Sequence, residues 1–162
     1  MPDIKGNLLG QEEFTEGLRI RIISRLHYNI AIGFDGGGDN WLGSPCTNLL
    51  SDGHPWTTFT VWRPYGDDRQ PSFCLRASSD VGGRPTCLCF DDDGLMGLAR
   101  AQFDNVEFTV DMLDGGHWFA LNNHDKSYVV DVAESNTSRN ARLLAFKWNG
   151  GDNQRWRAEI VR

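Results

Sequence analysis

An all-β domain of three four-stranded repeats around a pseudo-threefold axis is what this sequence predicts, on three observations. Short apolar runs are interrupted by Gly, Asp, Asn and Pro, and no window sustains a helical apolar period. Two separate landmarks recur at one offset: His27-Tyr28-Asn29-Ile30-Ala31-Ile32 and Ser127-Tyr128-Val129-Val130-Asp131-Val132 lie 100 residues apart, as do the runs opening on Trp56 and Trp156. The stretch Asn149-Gly150-Gly151-Asp152-Asn153-Gln154-Arg155-Trp156 supplies turn chemistry between two strand-like runs, because Gly takes positive φ freely and Asp and Asn tolerate it.

Taken in order, residues 1–17 are polar and acidic and read as an extended lead-in packing over one end of a single domain, 18–162. Strands are expected at 18–25, 28–34, 41–46, 56–63, 72–77, 86–90, 95–103, 106–112, 117–121, 128–132, 142–148 and 156–161, spaced by roughly 8 to 14 residues. If 100 is two periods of 50, the runs at 86–90 and 106–112 belong to a middle copy, in which Asn105 or Phe103 stands near the position of the other two tryptophans. The repeats then run 18–66, 67–114 and 115–162. Six strands closing into a short barrel, with three hairpins capping one end, bury all three copies and leave no exposed sheet edge. Trp156 belongs to the shared core.

With 162 residues, 40% hydrophobic content, six Trp and nine Phe, the chain can fill such a core. A net charge of -6 argues against nucleic acid and anionic membrane surfaces, and no apolar run is long enough for membrane insertion by a helix. No basic segment followed by an apolar one marks a secretory signal, so the expected location is cytoplasmic, or outside after release without a visible signal peptide. Cys46, Cys74, Cys87 and Cys89 lack zinc-site spacing and read as buried thiols in a reducing compartment. Cys87 and Cys89 share one strand face.

Asp91-Asp92-Asp93-Gly94 lacks the alternating ligands and distal Glu of a calcium loop and reads as a turn. Gly36-Gly37-Gly38 has no phosphate-loop spacing, and His27, His54, His117 and His124 have no metal spacing. Asn136-Thr137-Ser138 fits a glycosylation acceptor that a chain without a signal would leave unused. No enzyme motif, metal or cofactor is expected.

The third copy carries Tyr128-Val129-Val130-Asp131-Val132, then Phe146, Trp148, and Asn153-Gln154-Arg155-Trp156. It resembles one repeat of the ricin-B-type (R-type) β-trefoil lectins, whose signature is Gln-x-Trp after an Asn. The match is good over 117–162, faint over 18–63 and weaker over 72–112. The resemblance implies a β-trefoil fold and a sugar site formed by Asp131, Phe146 and Asn153, with Gln154 bracing the turn. Trp148, two residues beyond Phe146, is the alternative aromatic platform. The chemistry stands independently: a carboxylate accepts from neighbouring sugar hydroxyls, an amide donates and accepts, and a flat ring covers the apolar face of a sugar. Asp131 and Asn153 also read as turn residues that satisfy nearby backbone.

On the 100-residue offset, Ala31 stands opposite Asp131, Gly53 opposite Asn153 and His54 opposite Gln154, while the middle copy has Cys89 for Asp131. A single pocket in the third repeat is therefore expected. The expected function is carbohydrate binding, with glycans as partners, galactose-type sugars among them, and a homodimer supplying avidity. The alternative is a trefoil acting on protein, such as a protease inhibitor presenting the loops 35–40, 47–55 and 64–71.

Overall fold

The computed structural model describes residues 14–36, 44–63, 72–78, 86–90, 96–100, 106–123 and 126–161. The first repeat holds β1 (Arg19–Ser24), β2 (Ile30–Phe34), β3 (Pro45–Leu49) and β4 (Phe59–Trp62). The second holds β5 (Cys74–Ala77), β6 (Thr86–Phe90), β7 (Met96–Arg100) and β8 (Phe108–Leu113). The third holds β9 (Trp118–Asn123), β10 (Val129–Val132), β11 (Leu143–Phe146) and β12 (Trp156–Ile160).

Strand pairing closes a barrel. β1 pairs with β12 and β4, β4 with β5, and β9 with β8 and β12. The ring is completed by Phe73 and Phe108, whose backbones exchange hydrogen bonds of 2.9 and 2.8 Å. The hairpins β2–β3, β6–β7 and β10–β11 lie outside this ring and meet one another at one end. This is a β-trefoil: six barrel strands and three capping hairpins in threefold arrangement. No helix among the described residues is long and apolar enough to cross a membrane.

The core follows from the repeat. Each fourth strand opens on a buried aromatic that faces the first strand of its own copy: Phe59 opposite Ile20, Phe108 bridged to Phe73, and Trp156 opposite Phe119. Ile32 and Phe34, Leu88 and Phe90, and Val130 and Val132 bring the second strands into the same cluster. The described end of the lead-in joins it too. Phe14 is fully buried, stacked on Phe73 at 4.8 Å and edge-on to Phe119 at 5.6 Å, and the Gly17 N–H donates to Val61 O at 2.8 Å.

Two expectations are corrected here. The core partner of Trp156 in the first repeat is Phe59, since Trp56 sits in a 3-10 turn (Pro55–Thr57) before the strand and is only half-buried. In the second repeat that place is taken by Phe108, while Phe103 and Asn105 lie outside the described residues. The offset between first and third repeats therefore drifts below 100, by one residue in the first strand, two in the second and third, and three in the fourth. The cause is loop length: a turn that is one residue shorter shifts every landmark after it.

Also outside the described residues are Asp91 to Gly94, His124, residues 37–43 and the loop 64–71. The stretch 47–55, expected as a loop, is instead the end of β3 followed by 3-10 turns.

Candidate functional site

β10 and β11 form the hairpin that carries the site. Register puts Val130 and Val132 with Ala145 and Leu143 on the core face, and Asp131 with Leu144, and Val129 with Phe146, on the opposite one. Alternation thus turns the Asp131 carboxylate away from the barrel and sets Phe146 on its side of the hairpin.

The chain returns to this face through the turn before β12. Gly150 adopts φ +81°, where side chains are strained. Gly151 has an ordinary φ, but a Cβ there would lie 2.4 Å from Asn153 Oδ1 and would force that side chain to shift. A 3-10 turn, Asp152–Gln154, then points Gln154 inward. Gln154 is fully buried and uses its whole amide: Nε2 donates to Asp131 Oδ2 at 2.8 Å and to Lys147 O at 2.9 Å, and Oε1 accepts from the Asn149 N–H at 2.7 Å. Asn153 Nδ2 donates to Val132 O at 3.2 Å. Behind them the Trp156 indole, also buried, donates to Val130 O at 3.1 Å.

Asp131, Asn153 and Gln154 are therefore brought together as expected. The carboxylate is more deeply set than an open acceptor for two hydroxyls would be, with the residue only 4% exposed. Burial raises its pKa, opposed by the hydrogen bonds of Gln154 and Asn153. A carboxylate accepts about four hydrogen bonds, so acceptor capacity remains beyond these two partners.

Both aromatic candidates are at the surface, Phe146 51% and Trp148 44% exposed. They are not equivalent. β11 ends at Phe146, and Trp148 lies beyond it, its ring covered by the Arg155 guanidinium at 5.3 Å. Arg155 is itself held by Gly150 O at 3.1 Å and by Asp114. Phe146 lies on Asp131's side of the hairpin. The rim adds two residues that sequence reading did not single out. Glu134 and Ser135, exposed and at φ +57° and +52°, form the turn after β10 that abuts the Asp152–Gln154 turn. Their only signal in the sequence was a polar run.

The other repeats lack this pair, though not at the positions expected in the first. By strand register the counterparts of Asp131 and Gln154 are Gly33 and Thr57, and that of Asn153 is Trp56, in place of Ala31, His54 and Gly53. In the second repeat they are Cys89, as expected, and Val106, packed in one apolar cluster with Cys74 and Cys87. Among the described residues no group of three His, Cys, Asp or Glu is placed to hold a metal ion.

Comparison with known proteins agrees at the level of fold. No protein-family model matches the sequence, and no curated protein matches it. Among solved structures, the Rhizoctonia solani agglutinin superposes with TM-score 0.65 at 15% identity, over 91% of this chain and 97% of that one. The C-half of an earthworm R-type lectin in complex with GalNAc gives 0.64 at 13% identity, over 89% and 99%. A mosquitocidal holotoxin gives 0.73 at 16% identity, over 91% of this chain and 17% of that one. These likenesses establish the β-trefoil fold, which lectins and toxins share.

Proposed function

We propose that the protein is a carbohydrate-binding protein, without a catalytic step, whose third repeat holds one sugar ring on the outer face of the β10–β11 hairpin. The observation that carries this reading is the Asp131–Gln154–Asn153 cluster, with the exposed Phe146 on the same face of the hairpin as Asp131. Asp131 accepts from ring hydroxyls, Asn153 binds one of them, and Phe146 covers the apolar face, with Trp148 and Arg155 at the margin. Gln154 touches no ligand; it positions Asp131. The R-type resemblance of this repeat, and neighbours of this fold that are lectins, point the same way.

A single shallow pocket binds a monosaccharide at about millimolar Kd, on the order of -4 kcal/mol, so useful avidity comes from a dimer or a longer glycan. The test is a glycan array followed by titration of the best hit, a galactose-type sugar being the first candidate. Wild-type binding that is lost in both Asp131→Asn and Asn153→Ala supports the site. Binding left unchanged in both removes it. The protease-inhibitor alternative draws no support from 47–55, which is mostly strand and 3-10 turn.

A further inference from the structure

The second repeat has no carboxylate–amide pair, and the outer side of its first two strands carries thiols instead. Leu75, Ala77 and Leu88 belong to the barrel core, so alternation turns Cys74, Cys87 and Cys89 to the other face. There the three buried cysteines form a cluster of their own with Val106, and Trp62 packs against it. Trp62 stands opposite Cys74 in the β4–β5 register. In the β5–β6 register Arg76 stands opposite Cys87, so Cys74 lies diagonally across from Cys87 on the same face.

These two thiols meet. Cys74 donates a hydrogen bond to the Cys87 sulfur. That bond and burial push the Cys74 thiol up, whereas accepting it pulls the Cys87 thiol down, against burial and with help from the Arg76 charge. One sulfur is therefore the readier nucleophile, and its neighbour holds a proton beside it. Spacing suits a bond between them as well: adjoining strands run about 4.8 Å apart, and a disulfide joins Cα atoms roughly 4.4–6.8 Å apart. All the cysteines are thiols in this structure. Cys46 lies elsewhere, beside the amides of Asn48 and Asn140.

We propose that Cys74 and Cys87 form a peroxide-reactive site, in which hydrogen peroxide converts the two thiols into a disulfide that joins β5 to β6. The Cys87 sulfur attacks one peroxide oxygen. The O–O bond breaks, and the departing hydroxide takes up the proton that Cys87 has released, which leaves water and a sulfenic acid on Cys87. The Cys74 sulfur then attacks the Cys87 sulfur, the S–O bond breaks, and hydroxide leaves with the Cys74 proton as a second water. Two thiols are thereby oxidised by two electrons, and one peroxide is reduced to two waters. Burial selects the oxidant, since a molecule little larger than water reaches sulfurs that a bulky disulfide does not. The site shares no residue with the third-repeat pocket and stands or falls without it.

The test treats the whole reduced chain with hydrogen peroxide under native conditions, alkylates it in denaturant, and weighs it before and after trypsin, which cuts between the two cysteines after Arg76. The expected result is a monomer whose free thiols fall from four to two, with Cys46 and Cys89 alkylated and Cys74 linked to Cys87. Fragmentation of the linked peptides tells Cys87 from Cys89. The link should persist in Cys89→Ala and vanish in Cys74→Ala, where dimedone should instead trap a sulfenic acid on Cys87. A bulky aromatic disulfide should consume neither thiol of the native protein and both after urea unfolds it. Four thiols left after peroxide, a link to Cys89 or Cys46, or a link that forms only in urea overturns the site. The peptide map of the wild type decides among these even if a variant misfolds.

Discussion

Gln154 Nε2 stands 2.8 Å from Asp131 Oδ2, with both residues buried, and this contact ties the turn before β12 to the second strand of the same repeat. The two positions differ together across the repeats, as Asp with Gln, Cys with Val, and Gly with Thr. That is what a buried polar pair requires, since either partner left alone would be an unsatisfied group.

Replacing Gln154 by Leu should leave the Asp131 carboxylate with Asn153 alone of its two amide partners, and take their Gln154 partner from Lys147 O and the Asn149 N–H. A loss of about 1–3 kcal/mol or more is expected in urea denaturation. In the background of Asp131→Asn the same replacement should cost less, because no buried charge remains to be satisfied. Equal losses in the two backgrounds would show that the pair is not coupled.

The pH dependence follows from the raised pKa of Asp131, caused by burial and opposed by Gln154 and Asn153. Between the ordinary carboxylate value and the raised one, the folded protein keeps a proton that the unfolded chain has lost. Stability therefore falls as pH rises through that interval. The wild type should lose stability relative to Asp131→Asn across it and run parallel to the variant above it, in denaturation series from about pH 3 to 7. Sugar binding, which uses the ionised form, should strengthen over the same interval.

Trp156→Phe should be tolerated far better than Trp156→Ala, because Phe59 and Phe108 fill the matching places in the other repeats. The alanine variant should lose about 3–5 kcal/mol. The phenylalanine variant gives up the indole bond to Val130 O and some volume. Thermal or urea unfolding of the two decides; equal losses would contradict the threefold core.

Gly151→Ala should weaken sugar binding more than stability. Its Cβ would press on Asn153 Oδ1 from 2.4 Å, while its φ of -71° suits alanine. Titration and unfolding measured on the same variant separate the two effects. Binding equal to wild type would mean that the placement of Asn153 is irrelevant to the ligand.

Cys46 should be inert. Burial and the nearby Asp35 charge push its thiol up to about 12, so little thiolate forms at pH 8. A thiol reagent at that pH should label it only after unfolding; rapid labelling of native protein at Cys46 would contradict its 4% exposure.

Much of the architecture was legible in the chain because its signals are local. Period-two apolar runs between Gly and Asn turns mark strands whatever surrounds them, and Asn153-Gln154-Arg155-Trp156 sets a buried amide and a buried aromatic two residues apart where one short turn meets a strand. The counterparts in the first repeat were not legible. Trp56 and Phe59 are both aromatic, three residues apart, and only the pairing of Phe59 with Ile20 decides which enters the core.

By itself, then, the sequence determined the all-β class and the threefold repeat, which depend on neighbours along the chain, while the grouping of Asp131, Asn153 and Gln154 was implied by the resemblance of the third copy to an R-type lectin repeat. The tertiary structure alone decided how deep Asp131 lies, that Phe146 shares its face while Arg155 covers Trp148, and that Asp52 and Arg139 meet across a cleft. Depth, facing and inter-repeat contact are set by barrel closure and strand register, and these bring together residues that no spacing along the chain connects.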